Sequence, residues 1–473
     1  MEKSYSKEWP QYLAAITATL SMAISGSHIG WTSPTLPNLK SPNSHLQINS
    51  DDASWIASFY LLGSIPGNII AGFIVDLLGR KASLIVAGIP LTFGWILILI
   101  AWNPYILFAS RFISGIGQGI VYVICPMYIG EIADKNIRGS LGSFIKLMVT
   151  FGELYGHAIG PFVSYGVFAY ASIILPIIFF LTFSFMPESP YYLLMKNQRS
   201  KAEKSLAWLR RYKNEEDLKE EADQMQKTVI KDLMNKGHFW DLFDTKGNRK
   251  AVLVSFGLQF VLQFSGIAAI ESYTQEIFDQ SGSEFSAAQA VILLSLLQLL
   301  AGLAAAGLVD KIGRIPLLMT TTFLGGLSLA LSSIFYFLKF QIKIDMSGLG
   351  TILVAFVIFY ELIIALGLNP LPYMMLGELF STSVKGFAVS LANVWGSLLA
   401  FLVSKLYQVV ADTCGIYASF AWFATSCFFG LVFIALCVPE TKGKSLMEIQ
   451  EELHCGRRRR KKMEETMNVS TIA

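Results

Sequence analysis

The sequence predicts an all-α membrane protein of twelve transmembrane helices in two six-helix bundles, with helices in the linker between them. Three observations predict it. The 473 residues are 53% hydrophobic and 15% charged, with a mean hydropathy of +0.51, more apolar than a water-facing surface allows. Apolar runs of roughly 20 residues, the length that crosses a bilayer as a helix, occur twelve times. A charge-rich segment of about 60 residues, helical in pattern, separates the sixth run from the seventh, whereas the other runs are separated by short polar turns. This composition excludes a soluble enzyme or nucleic-acid binder of this length. The net charge of +3, from 37 Lys and Arg against 34 Asp and Glu, steers no polyanion, so no nucleic-acid partner is expected.

The runs lie near 10–30, 55–75, 83–101, 106–128, 141–161 and 166–186, then near 251–272, 287–309, 316–338, 350–376, 386–409 and 416–438. They divide the chain into a first bundle over 1–189, a helical linker over 190–249, a second bundle over 250–438 and a basic tail over 439–473. The first run has a mixed-charge head and a Gly/Ser/Pro-rich end without a small-x-small pattern, which does not suit a cleaved signal. Cys125, Cys414, Cys427, Cys437 and Cys455 have neither metal-ligand nor disulfide-framework spacing. No metal or cofactor is expected.

Lys and Arg fix the orientation, because basic residues are retained on the cytoplasmic side. With the N-terminus inside, the outer loops contain only Lys40, Lys339 and Lys343, and Arg111, Lys146 and Lys405 fall within spans. The other 31 of 37 are then cytoplasmic. Both termini are expected inside, and the sequon at Asn468 falls on that side, where no N-glycan is added.

Each half repeats the same three motifs. Gly72, Asp76, Gly79, Arg80 and Lys81 follow the second run, and Gly307, Asp310, Gly313 and Arg314 follow the eighth. Glu131 with Arg138 after the fourth run matches Glu378 with Lys385 after the tenth. Pro187-Glu188-Ser189-Pro190 closes one half and Pro439-Glu440-Thr441-Lys442 the other. Any one of these motifs also fits a plain topology anchor. Three duplicated together point to a transporter whose halves rock about a central site, with acid and base pairing at the cytoplasmic helix ends as a latch.

These motifs resemble the sugar-porter branch of the major facilitator superfamily, over all twelve runs. Trp31-Thr32-Ser33-Pro34 and Ser54-Trp55-Ile56 resemble the insect facilitated trehalose transporters more than the vertebrate hexose carriers. The resemblance implies alternating access without catalysis. It places substrate contacts at Gln263, Gln298 and Tyr373 and an external gate at Tyr273, and Lys146, Gln259 and Thr32 are expected to line the substrate path with them. Where the family reads QQxSGIN, this chain has Leu262-Gln263-Phe264-Ser265-Gly266-Ile267-Ala268, so one Gln remains and the Asn is lost. Lys146 stands where Gln is common, and Gly396-Ser397 stand where Asn-Trp is usual, with Asn393 and Trp395 nearby. Proton-driven members carry an Asp where Thr32 stands, opposite Arg111; a Thr cannot titrate, which favours uniport.

Helical spacing adds three polar stripes inside the runs: Arg111, Gly115, Gln118 and Tyr122; Lys146, Thr150, Glu153 and His157; Gln259, Gln263 and Gly266. Polar and charged groups in a membrane span face a wet cavity or one another. Amides that donate and accept, beside aromatic faces, suit a sugar. Interhelical hydrogen bonding explains an isolated Gln equally well. A sugar carrier is the first expectation, with trehalose or a hexose as substrate. A carrier of a charged solute and a non-transporting sensor stay open, and Lys146, Glu153 and Glu271 are the residues that discriminate. The tail run Arg457 to Lys462 is expected to bind anionic lipid of the inner leaflet.

Overall fold

The computed structural model describes residues 8–453, apart from 43, 45, 135, 212–214, 235–236, 347, 382–383, 443, 445–447, 450–452 and the side chains of 304–310. The basic tail run, Cys455 and Asn468 lie outside the described residues, as does the side chain of Asp310.

Among the described residues every regular element is helical. Helices α1–α6 cover Trp9–Lys40, Ser50–Leu78, Arg80–Leu99, Pro104–Ile132, Arg138–Ile159 and Tyr165–Phe183. The linker forms α7 (Pro190–Met195), α8 (Arg199–Arg210), α9 (Glu215–Met234) and α10 (Asp241–Asp244). The second set comprises α11 (Lys246–Phe264), α12 (Ile267–Ser281), α13 (Ala287–Ile312), α14 (Arg314–Phe340), α15 (Gly350–Leu366), α16 (Pro370–Leu379), α17 (Lys385–Cys414) and α18 (Ile416–Cys437). Ten helical runs are long and apolar enough to cross a membrane, with α11–α12 and α15–α16 each counted as one, so this is a multi-pass membrane protein. Outside those ten, α5 carries Lys146, Glu153 and His157, and the apolar part of α13 is the shorter Ala287–Leu303.

The first helix runs ten residues past its expected end at position 30. Pro34 and Pro37 lie inside it and remove donors without stopping it. In a bilayer the freed carbonyls are satisfied by neighbouring groups more easily than an unwound segment would be. At the start of α2, the Asn49 side chain accepts from Asp52 N–H at 2.7 Å and the Asp52 carboxylate accepts from Asn49 N–H at 3.2 Å, a reciprocal cap.

Close approach of helices rests on glycine. A Cβ on Gly63, Gly67, Gly115 or Gly119 would land on the facing backbone between α2 and α4; Gly26, Gly30, Gly152 and Gly156 play the same part between α1 and α5. In lipid, where no hydrophobic force drives helices together, such contact is the main source of packing energy. The stretch from Gly115 to Gly119 is therefore packing, as its place within a span predicts.

Two expected continuous spans are broken. The run over 251–272 divides at Ser265–Gly266, where Gly266 adopts φ +88, and the run over 350–376 divides between Gly367 and Asn369 before Pro370 opens α16. The breaks interrupt the backbone and not the apolar pattern, which is why periodicity passes over them.

Helices α1–α6 pack among themselves, chiefly α2 on α4, α1 on α5 and α3 on α4, while α14 packs on α18 and α15 and α11 on α17. The two sets meet through α2 with α17, α5 with α13 and α1 with α12. The linker closes one end of the bundle: the Arg210 guanidinium donates to the Ile132 carbonyl at 2.7 Å and pairs with Glu221 at 3.2 Å. Both terminal regions lie at this linker end, since Arg211 covers the Trp9 ring at 5.2 Å and Glu440 meets Arg314.

Candidate functional site

Between the two sets, α4, α5, α11, α12, α13, α15 and α16 bring polar groups to one cavity. Tyr122 and Tyr373 are 37% and 44% exposed although they sit mid-helix inside the bundle, which marks open space in front of them. Lys146 is exposed into the same space and lies within electrostatic reach of Glu153, Glu271, Glu361 and Tyr373. Gln298 Nε2 donates to Glu361 Oε2 at 3.1 Å. Gln259 is buried against Gly396 beside the Tyr373 hydroxyl, its amide without any other partner, and Gln263 is buried one turn further on.

The structure thus brings together Gln259, Gln263, Gln298, Tyr373 and Lys146 from four parts of the sequence. Glu361 joins them unforeseen. It is a single carboxylate in an otherwise apolar run, and an ionisable side chain inside a span was the signal that could have found it. Thr32 does not join them. It is buried, and its hydroxyl accepts from Arg111 Nη2 at 2.9 Å. Arg111 also donates to the His28 and Ile56 carbonyls and lies 4.3 Å from the Tyr60 ring centre, so this cation is held by carbonyls and aromatic faces. Trp395 also points away from the cavity: it stacks on Phe256 at 5.3 Å and donates to the Phe256 carbonyl.

Beyond the cavity, towards the end opposite the linker, the two sets are tied together. Tyr273 is 1% exposed and packs against Tyr407 with ring centres 4.9 Å apart. Gln275 N–H donates to Ser33 Oγ at 3.0 Å, Lys40 pairs with Glu276 at 2.9 Å, and Lys405 donates to Asp51 and Ser54, each at 2.6 Å. Deeper, His157 Nδ1 meets Ser295 Oγ at 2.7 Å and Asn68 donates to Ser397 at 3.3 Å. All six contacts join one set to the other; five shut the far side of the cavity, and Asn68–Ser397 lies at the level of Gln259.

At the linker end the duplicated motifs form two clasps, each inside its own set. Arg80 Nε bonds both Glu131 oxygens at 3.0 and 2.9 Å, Asp76 lies 3.8 Å away, and Ser189 donates to Glu131. Arg314 Nη2 bonds Glu378 at 2.9 Å, and Thr441 donates to Glu378. The closing acids cap helices: Glu188 accepts from the backbone N–H of Arg80, Lys81 and Ser189, and Glu440 from those of Arg314, Ile315, Thr441 and Lys442. Gly79 at φ +96 and Gly313 at φ +105 turn the chain so that these orphan donors face the carboxylates. Partial burial works against the Glu440 carboxylate, yet the four N–H groups together hold it below its ordinary range. The expected partners Arg138 and Lys385 stand outside the clasps, exposed and without an ion pair among the described residues. Both lie past the turn that comes after the acid, whereas the Gly turn sets Arg80 and Arg314 beside it.

A profile of the family described as "Sugar (and other) transporter" matches residues 13–453. The chain belongs to this sugar transporter family. A facilitated trehalose transporter of Bombyx mori is 33% identical over 451 residues, 95% of this chain and 88% of that protein. One of Apis mellifera ligustica is 31% identical over 93% of this chain and 87% of its own. The solved inward-open form of the E. coli xylose transporter XylE shares the fold, with a TM-score of 0.75 and 21% identity over 93% of this chain and 99% of that one. This sugar transporter is accordingly a carrier and not an enzyme.

Proposed function

We propose that this transporter carries trehalose or a hexose by facilitated diffusion, its two bundles rocking about the cavity. The observation that carries this reading is the cavity itself: amides and the Tyr373 hydroxyl from the second half and Lys146 and Tyr122 from the first converge on it, and five polar contacts tie the two sets together on the side away from the linker. In this reading Gln263, Gln298 and Tyr373 hold the sugar hydroxyls with Gln259 and Lys146 behind them, and Tyr273 seals the far side. Thr32 acts only through Arg111. The clasps Asp76–Arg80–Glu131 and Arg314–Glu378 stabilise one side of a two-state balance, with Asp310, Arg138 and Lys385 read from the sequence as further members of that latch.

The same reading gives α5 and α13 a place in the membrane, which makes twelve spans: a bundle over 1–189, a cytoplasmic linker over 190–249, a bundle over 250–438 and a cytoplasmic tail over 439–473. Its support is the alternation of turns between the two ends together with the cytoplasmic bias of Lys and Arg. On this reading the protein is a plasma-membrane carrier with both termini inside.

Uptake into proteoliposomes tests the transport reading. Trehalose or glucose is expected to enter down its gradient without acceleration by an inward pH gradient, because Thr32 replaces a titratable group. A buried hydrogen bond to a neutral hydroxyl contributes about 1 kcal/mol, so Gln263→Ala should weaken sugar affinity about threefold to tenfold. Proton-accelerated uptake refutes uniport; unchanged affinity in Gln263→Ala combined with Gln298→Ala moves the site elsewhere. For the tail, a peptide covering Arg457 to Lys462 should prefer anionic over neutral vesicles at low salt, each cation contributing on the order of 1 kcal/mol. Equal binding to both vesicles would leave a receptor-read signal as the better account.

A further inference from the structure

The cavity holds more carboxylate than its own cation balances. Glu153 on α5, Glu271 on α12 and Glu361 on α15 lie within electrostatic reach of one another and of Lys146. No ion pair within 4.0 Å joins Lys146 to any of them among the described residues. Glu153 lies two turns along α5 from Lys146 on the same face, and that lysine is the only opposite charge that acts on it. Glu271 and Glu361 stand on α12 and α15, which pack on each other, and among the described residues Lys146 is the cation that acts on both. Ionised carboxylates in a membrane interior are costly unless a counter-cation meets them.

A second observation shows where that cation would sit. Glu361 is 1% exposed; its Oε2 takes the Gln298 amide, while Oε1 has no partner. Gln259, on a different helix, is equally buried, and its amide has no partner apart from the Tyr373 hydroxyl beside it. An unpaired carboxylate oxygen is an acceptor for an ammonium group, and an unpaired amide with a phenol is a receptor for hydroxyls. One solute that carries both groups would satisfy both.

We propose that the preferred solute is an amine-bearing sugar or polyol of hexose size, its protonated amine held between Glu271 and Glu361 and its hydroxyls by the neighbouring amides and Tyr373. This rests on the transport reading above and adds the charge of the substrate to it. The geometry assigns Glu271 and Glu361 the recognition of that charge.

Competition and counterflow with the full chain in proteoliposomes test it, using glucosamine, glucose and glucuronate at a pH that keeps the amine protonated. Glucosamine is expected to bind about tenfold more tightly than glucose, as a hydrogen bond to a charged group outweighs a neutral one by that order, and glucuronate least of all. Glu271→Gln and Glu361→Gln, both isosteric, should each lower the glucosamine-to-glucose ratio about tenfold. Glucose binding as well as glucosamine in the parent chain overturns the proposal and leaves sugar transport standing. So does a fall of both solutes together in the variants with the ratio kept, which is the mark of a structural role. Glucose uptake driven by an inward proton gradient, with no preference for the amine, would make the proton the missing cation and also overturns it. If no solute in the panel enters while tryptophan fluorescence reports a folded protein, both this proposal and the transport reading fail.

Discussion

Arg80 and Glu131 in the first set of helices are 5% and 14% exposed, whereas Arg314 and Glu378, their counterparts in the second, are 12% and 26% exposed. The motif letters are nearly the same; the surroundings are not. After Ser189 the chain turns at once into α7, which sets the Tyr192 ring 5.0 Å from the Arg80 guanidinium, and Arg80 Nη1 also reaches the Val75 carbonyl at 3.3 Å. The difference shows that a repeated motif does not carry its burial with it: α7 roofs the first copy, which is the drier of the two.

The sharpest way to break this comparison is to remove the two arginines in turn. Arg80→Met leaves Glu131 and the Val75 carbonyl buried without their cation and should cost about 3 kcal/mol. Arg314→Met, on the wetter side, should cost about 1 kcal/mol. Thermal unfolding in detergent gives the order, and cysteine labelling of the cavity should show the larger shift in conformer population for Arg80→Met. Equal losses would mean that burial does not separate the two copies.

A smaller effect comes from acid. The Glu440 carboxyl is held below its ordinary value of 4.5, so its stabilising contribution is complete above that value and fades as pH falls through the lower folded one. Glu440→Gln should therefore flatten the acid limb of a stability-against-pH curve below about pH 4.5, leaving the neutral plateau nearly as flat as before. An acid limb identical in the variant would remove the carboxylate cap from the account.

The smallest effect sharpens the comparison at its edge. Arg138→Ala and Lys385→Ala remove exposed cations that make no ion pair among the described residues, and each should change stability by less than about 0.5 kcal/mol. A loss near that of Arg314→Met in either one would restore it to the clasp.

Both clasps were legible as repeats, because duplicated Gly, Asp and Arg positions survive in the letters. Their true pairing was not. Glu131 and Arg138 are close in sequence, yet the base that meets the acid is set by α3 packing on α4, a tertiary fact that spacing along one strand of chain does not encode. For the cavity, Gln263, Gln298 and Tyr373 were named through a family pattern. Glu361 was passed over because it matches none, and Thr32 was misplaced because a position in a motif does not say which way a hydroxyl turns. The spans themselves were plain from apolar length, while the breaks at Gly266 and Gly367 were hidden by side chains that remain apolar across them.

The break at Gly266 divides one crossing into two pieces with different duties. Gln259 and Gln263 ride on α11; Tyr273, Gln275 and Glu276 ride on α12 beyond the break. A Cβ at position 266 would run into the Phe423 ring, so the joint admits no larger residue without displacing that ring. On the proposed reading, the α11 amides that meet the sugar and the α12 tyrosine that seals the far side sit on separate rods that share a pivot, with Glu271 one turn past the joint. A lineage of such carriers can alter the amides on one rod while the seal at the far end of the other keeps its place.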